Sequence, residues 1–157
     1  LTNQPDLFRT LQLSNQTKLI ILWAFILHTV WEFGQCLFLY EMWDWPFLKA
    51  TIWMWSAVFG DILIVFALWK ITVSAVPFIN YDNPDSKSYF ILILTSFVAS
   101  ILLEWIAIAL GLWEYSNAMP IIAVFGYEVG LSPVVQITLL PAASIYLADR
   151  FNIKWEK

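Results

Sequence analysis

Four side chains with reactive or strongly polar groups stand close together near the start of the chain. His28, Glu32, Gln35 and Cys36 fall at i, i+4, i+7 and i+8 inside an apolar run from Leu19 to Tyr40. On a helix that spacing places all four on one face. A carboxyl group beside an imidazole can hold and release a proton, so general acid–base chemistry is one use for the stripe. A His and a Glu one turn apart can also ligate a metal ion, with Cys36 as a further donor. The spacing alone does not choose between these uses.

More acids are set in apolar surroundings downstream. Asp61 follows Gly60 inside a second apolar run, Glu104 lies in a third, and Gln136 lies near the start of a fourth. An ionisable group at mid-membrane costs about 2.5–3.5 kcal/mol on insertion scales. A hydrogen bond between membrane helices returns about 0.6 kcal/mol. Stability alone is therefore a poor reason to keep Glu32, Asp61 and Glu104. Lys and Arg are missing from the interiors of all four runs, so His28 is the one group there that can become a cation. Three acids facing at most one cation require protons or a bound cationic partner.

Glu32 and Glu104 are the candidates for acid–base roles, with Asp61 and His28 tuning them. Gln35, Trp31, Trp105, Trp113, Tyr115, Met119 and Gln136 are candidates for holding a ligand. Glu114, Tyr115, Met119 and Glu128 are expected to form a mouth above the acids. The alternative metal set is His28, Glu32, Asp61 and Cys36, with Met119 as a possible substitute donor. The residues name no cofactor.

The elements that must position these groups are membrane helices. The chain has 157 residues, 61% hydrophobic and only 13% charged, against about 25% charged in soluble chains. The charges bracket long neutral runs, and about 20 apolar residues suffice to cross a bilayer. The expected fold class is all-α, a four-transmembrane-helix bundle forming a single integral membrane domain. Its spans are expected at about 18–42, 47–69, 88–113 and 131–149. The second apolar stretch is expected to continue to Val76, ahead of Pro77.

Ser14 or Asn15 suits the N-cap of the first span, Pro46 the first turn of the second, and Ser132-Pro133 the cap and first position of the fourth. A short surface helix is expected at Asp6 to Leu13, and Asn80 to Lys87 is the clearest loop. Residues 114–130 read as irregular, with Ile121 to Phe125 dipping into the interface. The polar residues 1–18 give no sign of a cleavable signal.

Charge sets the expected orientation. Arg9, Lys18, Lys70, Lys87, Arg150, Lys154 and Lys157 fall on the termini and the middle loop, and Lys49 alone on the other side. The positive-inside rule places both termini in the cytoplasm. His28, Glu32 and Asp61 then lie near mid-depth, with Glu104 and Gln136 toward the outer face. Gln136, Thr29, Ser56 and Ser96 also suit plain hydrogen bonding between helices. Trp69, Trp113 and Trp155 suit the membrane interface, whereas Trp31, Trp53, Trp55 and Trp105 lie deeper and could wall an apolar ligand.

Several function classes are excluded. There is no basic cluster to bind nucleic acid. One cysteine cannot make an intrachain disulfide, and one histidine cannot supply two axial haem ligands. No span carries a central lysine for a retinal Schiff base. Phosphate-binding glycine loops, nucleophile elbows and internal repeats are also missing.

A set of short motifs occurs in order: His28, Trp31-Glu32 and Gln35; Leu39-Tyr40 and Trp43; Gly60-Asp61; Glu104-Trp105; Trp113, Tyr115 and Met119-Pro120; Gly130-Leu131-Ser132-Pro133 and Gln136. Together they resemble a family of uncharacterised small bacterial multi-pass membrane proteins. The resemblance spans most of residues 20–145, and it implies four helices in the inner membrane without implying an activity. A looser similarity in size and in acid and aromatic content extends to membrane carotenoid cyclases, whose acidic motifs do not align here.

The function expected from the sequence is binding of, or acid–base action on, a hydrophobic small molecule of the lipid, quinone or carotenoid class. The protein's partners are then the lipid bilayer and an apolar ligand or pigment. The rivals are an accessory subunit contacting other membrane subunits of a respiratory or photosynthetic type of complex, and metal-ion binding or transport.

Overall fold

The structure is a computed structural model and describes residues 14–75 and 84–155. The expected surface helix at 6–13 and the Asn80 to Asn83 part of the middle loop lie outside the described residues, as does the Trp155 side chain. Four helices form: α1 (Asn15–Phe38), α2 (Phe47–Ala75), α3 (Ser86–Ala109) and α4 (Leu131–Trp155). All four are long and apolar enough to cross a membrane. The fold is an all-α four-helix bundle.

Local chemistry sets the helix ends. Ser14 caps α1 by accepting the Thr17 N–H at 3.2 Å. Asp85 caps α3 by accepting the Ser88 N–H at 2.9 Å and its hydroxyl at 2.6 Å. Those two donors hold the exposed Asp85 carboxyl below the usual carboxylate range. α2 runs past Trp69 to Ala75, so Trp69 is fully buried in the core and is not at a span end.

α3 stops at Ala109, short of Trp113, and Gly111 is the cause. Its φ of +61° is open to glycine at little cost. With Leu110 as C-cap, the Gly111 N–H reaches the Ile108 carbonyl and the Leu112 N–H reaches the Ala107 carbonyl, each at 3.0 Å. This is a Schellman ending. α4 begins at Leu131, one residue before the expected cap, which frees the Ser132 hydroxyl for a contact described below.

The helices run alternately up and down. The start of α4 meets the end of α1, where Ser132 reaches Gln35. The end of α4 meets the starts of α3 and α1, where Tyr146 lies against Tyr89 and Phe151 against Trp23. The principal contacts join α1 to α4, α3 to α4, α1 to α2 and α2 to α3, with α2 and α4 also touching across the bundle.

One apolar cluster fills the half of the bundle at the start of α1, built on Ile20, Val65, Leu68, Trp69, Leu92 and Ile145. A smaller one, Cys36, Tyr40, Met42 and Met119, closes the other end. Large apolar side chains such as Val30, Phe47, Leu63 and Phe90 point outward and are well exposed on the isolated chain. A water-soluble surface does not carry so much contiguous apolar area, and a hydrocarbon surrounding accounts for it.

The segment between α3 and α4 is more regular than the sequence suggests. β1 (Ile121–Val124) and β2 (Tyr127–Gly130) form an antiparallel hairpin with Val124 opposite Tyr127 and Ile121 opposite Gly130. Phe125 (φ 50°) and Gly126 (φ 84°) make its two-residue turn. Two successive positive φ values are the signature of a type I′ turn, usually signalled by Asn-Gly. Phe in that place hides the signal. The rings of Phe125 and Tyr127 lie 6.4 Å and 5.6 Å from that of Trp105, centroid to centroid, and tie the hairpin to α3.

The end of α1 adds a second strap. Tyr40 and Tyr115 form an antiparallel bridge, with the Glu41 N–H on the Glu114 carbonyl and the Ser116 N–H on the Leu39 carbonyl.

Candidate functional site

The polar faces of α1, α2 and α4 meet in one network. His28 Nδ1 lies 2.9 Å from Asp61 Oδ2. Gln136 Nε2 lies 2.7 Å from Glu32 Oε1, 2.6 Å from Asp61 Oδ2 and 3.1 Å from His28 Nδ1. Gln35 Nε2 donates to Glu32 Oε1 at 2.7 Å and to Gln136 Oε1 at 2.8 Å. The Cys36 thiol points at Glu32 Oε2 from 3.7 Å. All of these side chains are buried.

The directions of these bonds follow from one side chain. The Trp31 indole N–H can only donate, and it faces a Gln35 amide atom at 3.3 Å. That atom must be the amide oxygen, which also accepts the Ser132 hydroxyl at 2.9 Å. The Gln35 nitrogen then faces Glu32 and Gln136, so the Gln136 atom it meets is an oxygen. The Gln136 nitrogen in turn faces Glu32, Asp61 and His28. It has two hydrogens, and the two shorter contacts take them: Glu32 and Asp61. Where Asp61 is a carboxylate it can only accept, and Nδ1 of His28 is then the nitrogen that carries the proton and donates it. A donor-only indole on α1 thus orients two amides, Gln35 on α1 and Gln136 on α4. His28 Nε2 is buried and makes no hydrogen bond to any described residue.

Glu104 is held separately, at the end of α3. The Tyr115 hydroxyl accepts the Gly130 N–H at 3.0 Å and donates to Glu104 Oε2. Burial, and next the neighbouring Glu104, push the Tyr115 phenol above its ordinary range, so it stays a protonated donor. Burial does the same to Tyr40. Space around Gly130 is tight: a Cβ there would stand 3.0 Å from Tyr115 Cε1 and 3.2 Å from Met119 Sδ, so those side chains would have to give way.

Between these two groups lies a cavity of about 260 Å³ bounded by all four helices. Small-molecule sites run from about 300 Å³ upward, so it is a small one. Its polar lining comes mainly from Glu32, Gln35, Cys36, Asp61, Glu104 and Gln136. The remaining wall is mostly apolar and aromatic, with Tyr40, Trp53 and Trp113 prominent. A second, shallower groove is lined by Val30, Trp31, Gly34, Gln35, Phe38, Leu39 and Ser132 on α1 and the start of α4. Gln35 borders both spaces.

The candidates divide as follows. Glu32, Asp61 and Glu104 line the cavity, together with Gln35, Gln136 and Trp113. His28 stands behind Asp61, Trp31 lies in the groove, and Trp105 packs on the hairpin. Tyr115 and Met119 support the cavity from outside its lining, and Glu114 and Glu128 are exposed on the loop and hairpin. Ser56 bonds the Ile52 carbonyl of its own helix, so it joins no helices. Thr29 and Ser96 hold buried hydroxyls without a hydrogen-bond partner among the described residues.

The sequence reading did not single out Tyr40 and Met42 as lining, because the strap that folds them over the cavity depends on pairing with residues 114–116. Among the described residues, no three His, Cys, Asp or Glu side chains come together in a group that could hold a metal ion. The chain matches no protein-family model, no curated protein and no solved structure.

Proposed function

We propose that this is a bacterial inner-membrane protein that binds a hydrophobic small molecule between its helices and acts on it by acid–base chemistry. The observation that carries the reading is the cavity itself, an apolar and aromatic chamber into which three carboxyl groups from three helices converge. Glu32 and Glu104 are the proton-transferring groups. Each has a donor that holds it in place, Gln35 and Gln136 for Glu32 and Tyr115 for Glu104. Asp61 and His28 are hydrogen-bonded next to Glu32 and set its surroundings. The polar lining fixes a ligand's orientation, and the apolar wall excludes water from the transfer.

The similarity of the motif set to small bacterial multi-pass proteins supports the location. The excess of Lys and Arg at the termini and middle loop supports cytoplasmic ends, with the cavity toward the outer half of the membrane.

The test begins with purification in mild detergent and extraction of whatever apolar molecule accompanies the protein. Turnover of that molecule should be lost in Glu32→Gln, which keeps the shape and removes the titrating group. Full turnover in that variant would overturn the assignment.

A further inference from the structure

We infer that the cavity takes the uncharged polar end of a single-chain amphiphile whose tail passes out between α2 and α3 and stays in the bilayer. The inference rests on the binding reading above. The cavity is sealed on one side and open on the other. Every lining residue that α1 and α4 contribute is buried, as are Tyr40 and Met42. The remaining wall differs. Leu103, Ile106 and Leu112, on α3 and just beyond it, line the cavity yet are 37%, 55% and 38% exposed. α2 contributes Trp53, Ala57, Gly60 and Ile64, all half-buried. Their i, i+4, i+7, i+11 spacing keeps them on one helical face. Gly60 marks the gap, since a Cβ there would meet nothing within 4 Å.

α2 and α3 are joined at another level, where the Thr72 and Thr95 hydroxyls lie 3.4 Å apart and Leu68, Trp69 and Leu92 share the apolar cluster. The window lies beyond that joint. The groove on α1 is a second approach, but Gln35 stands across it, tied to Trp31, Glu32, Ser132 and Gln136. Size then sets the kind of occupant. At about 260 Å³ the cavity is smaller than ordinary small-molecule sites, which begin near 300 Å³. It has room for a polar end and a few carbons, and a long chain must remain outside. A tail in the window trades lipid for side chains that are equally apolar, so it loses little by lying there. The inner wall sets the end group. Glu32, Asp61 and Glu104 line it and no Lys or Arg does, so an anionic end would be desolvated with no cation to meet it. A hydroxyl suits this wall, because it can donate to a carboxyl group and carries no charge.

The experiment uses the full chain in lipid nanodiscs and two hexadecanol probes, one with a diazirine near the hydroxyl and one with it at the far end of the tail. After irradiation, peptide mass spectrometry locates the label. The first probe should mark the sealed wall on α1 and α4, and the second should mark only the outward side of α2 and α3. Hexadecyl phosphate with a diazirine near its headgroup should leave the sealed wall unmarked, and marking equal to the alcohol's would overturn the uncharged end. Gly60→Leu places a side chain in the window and should abolish marking of the sealed wall. Gly34→Leu adds the same bulk to the α1 groove, where a Cβ also meets nothing within 4 Å, and should leave that marking intact. The opposite response of the two variants, or a tail-end label on the sealed wall, would overturn the window and leave the binding reading standing. No marking of the cavity by either alcohol would overturn the inference. The binding reading falls with it where extraction of the purified protein also yields no apolar molecule.

Discussion

At the scale of single residues, the hydrogen-bond directions make a statement about one proton. The chain has a single histidine, so a nitrogen-15 spectrum of the labelled protein reports His28 without assignment. It should show a protonated Nδ1 donating to the Asp61 carboxylate, and a bare Nδ1 with the proton on Nε2 would refute that direction of the bond. Gln136 bears the most contacts in that network. Gln136→Leu keeps the volume but strips donors from Glu32 and Asp61, and each buried group left unsatisfied costs about 1–3 kcal/mol. The variant should unfold at distinctly lower denaturant than the parent in detergent, and an unchanged midpoint would show that the network carries little energy. The presence of Glu32, Asp61, Glu104 and Gln136 on inward faces was legible from the sequence, because charge inside an apolar run has few other places to go. Which of them share a hydrogen bond was not. Helix rotation and the pairing of α1 with α4 depend on packing between segments about a hundred residues apart, and no local spacing encodes that.

At the scale of elements, the four helices follow from apolar length, and their ends follow from residues that can be read in retrospect. Gly111 announces the end of α3, and Ser14 and Asp85 announce two starts. The hairpin is the element the sequence conceals, because its turn is Phe-Gly and its strands are only four residues each. It is nonetheless what places Gly130 under Tyr115. Gly130→Ala adds a methyl group into a space where Tyr115 and Met119 already crowd, and overpacking of this kind costs about 1–3 kcal/mol. The expected result is a lower unfolding midpoint together with loss of the proton-transfer role proposed for Glu104. Tyr115→Phe, which removes the hydroxyl without adding bulk, should lose that function with a smaller change in stability. A Gly130→Ala protein as stable and active as the parent would mean that the Tyr115 ring has more freedom than its packing indicates.

At the scale of the whole molecule, orientation is open to direct labelling. Cys36 is the single cysteine and is buried, so a Cys36→Ser background gives a clean starting point. A cysteine placed at Lys49 should react with a membrane-impermeant maleimide on intact cells. One placed at Lys87 should react only after the membrane is opened, and the reverse pattern would invert the proposed topology. The position of Gln35 has a kinetic consequence. Its amide stands between the inner cavity and the groove on the outside of α1, tied by contacts to Trp31, Glu32, Ser132 and Gln136. A molecule exchanging sideways with the bilayer by that path has to break several of those contacts at once. Dwell time inside the protein would then be governed by how fast one glutamine swings aside, and could be long even for a molecule held with modest affinity.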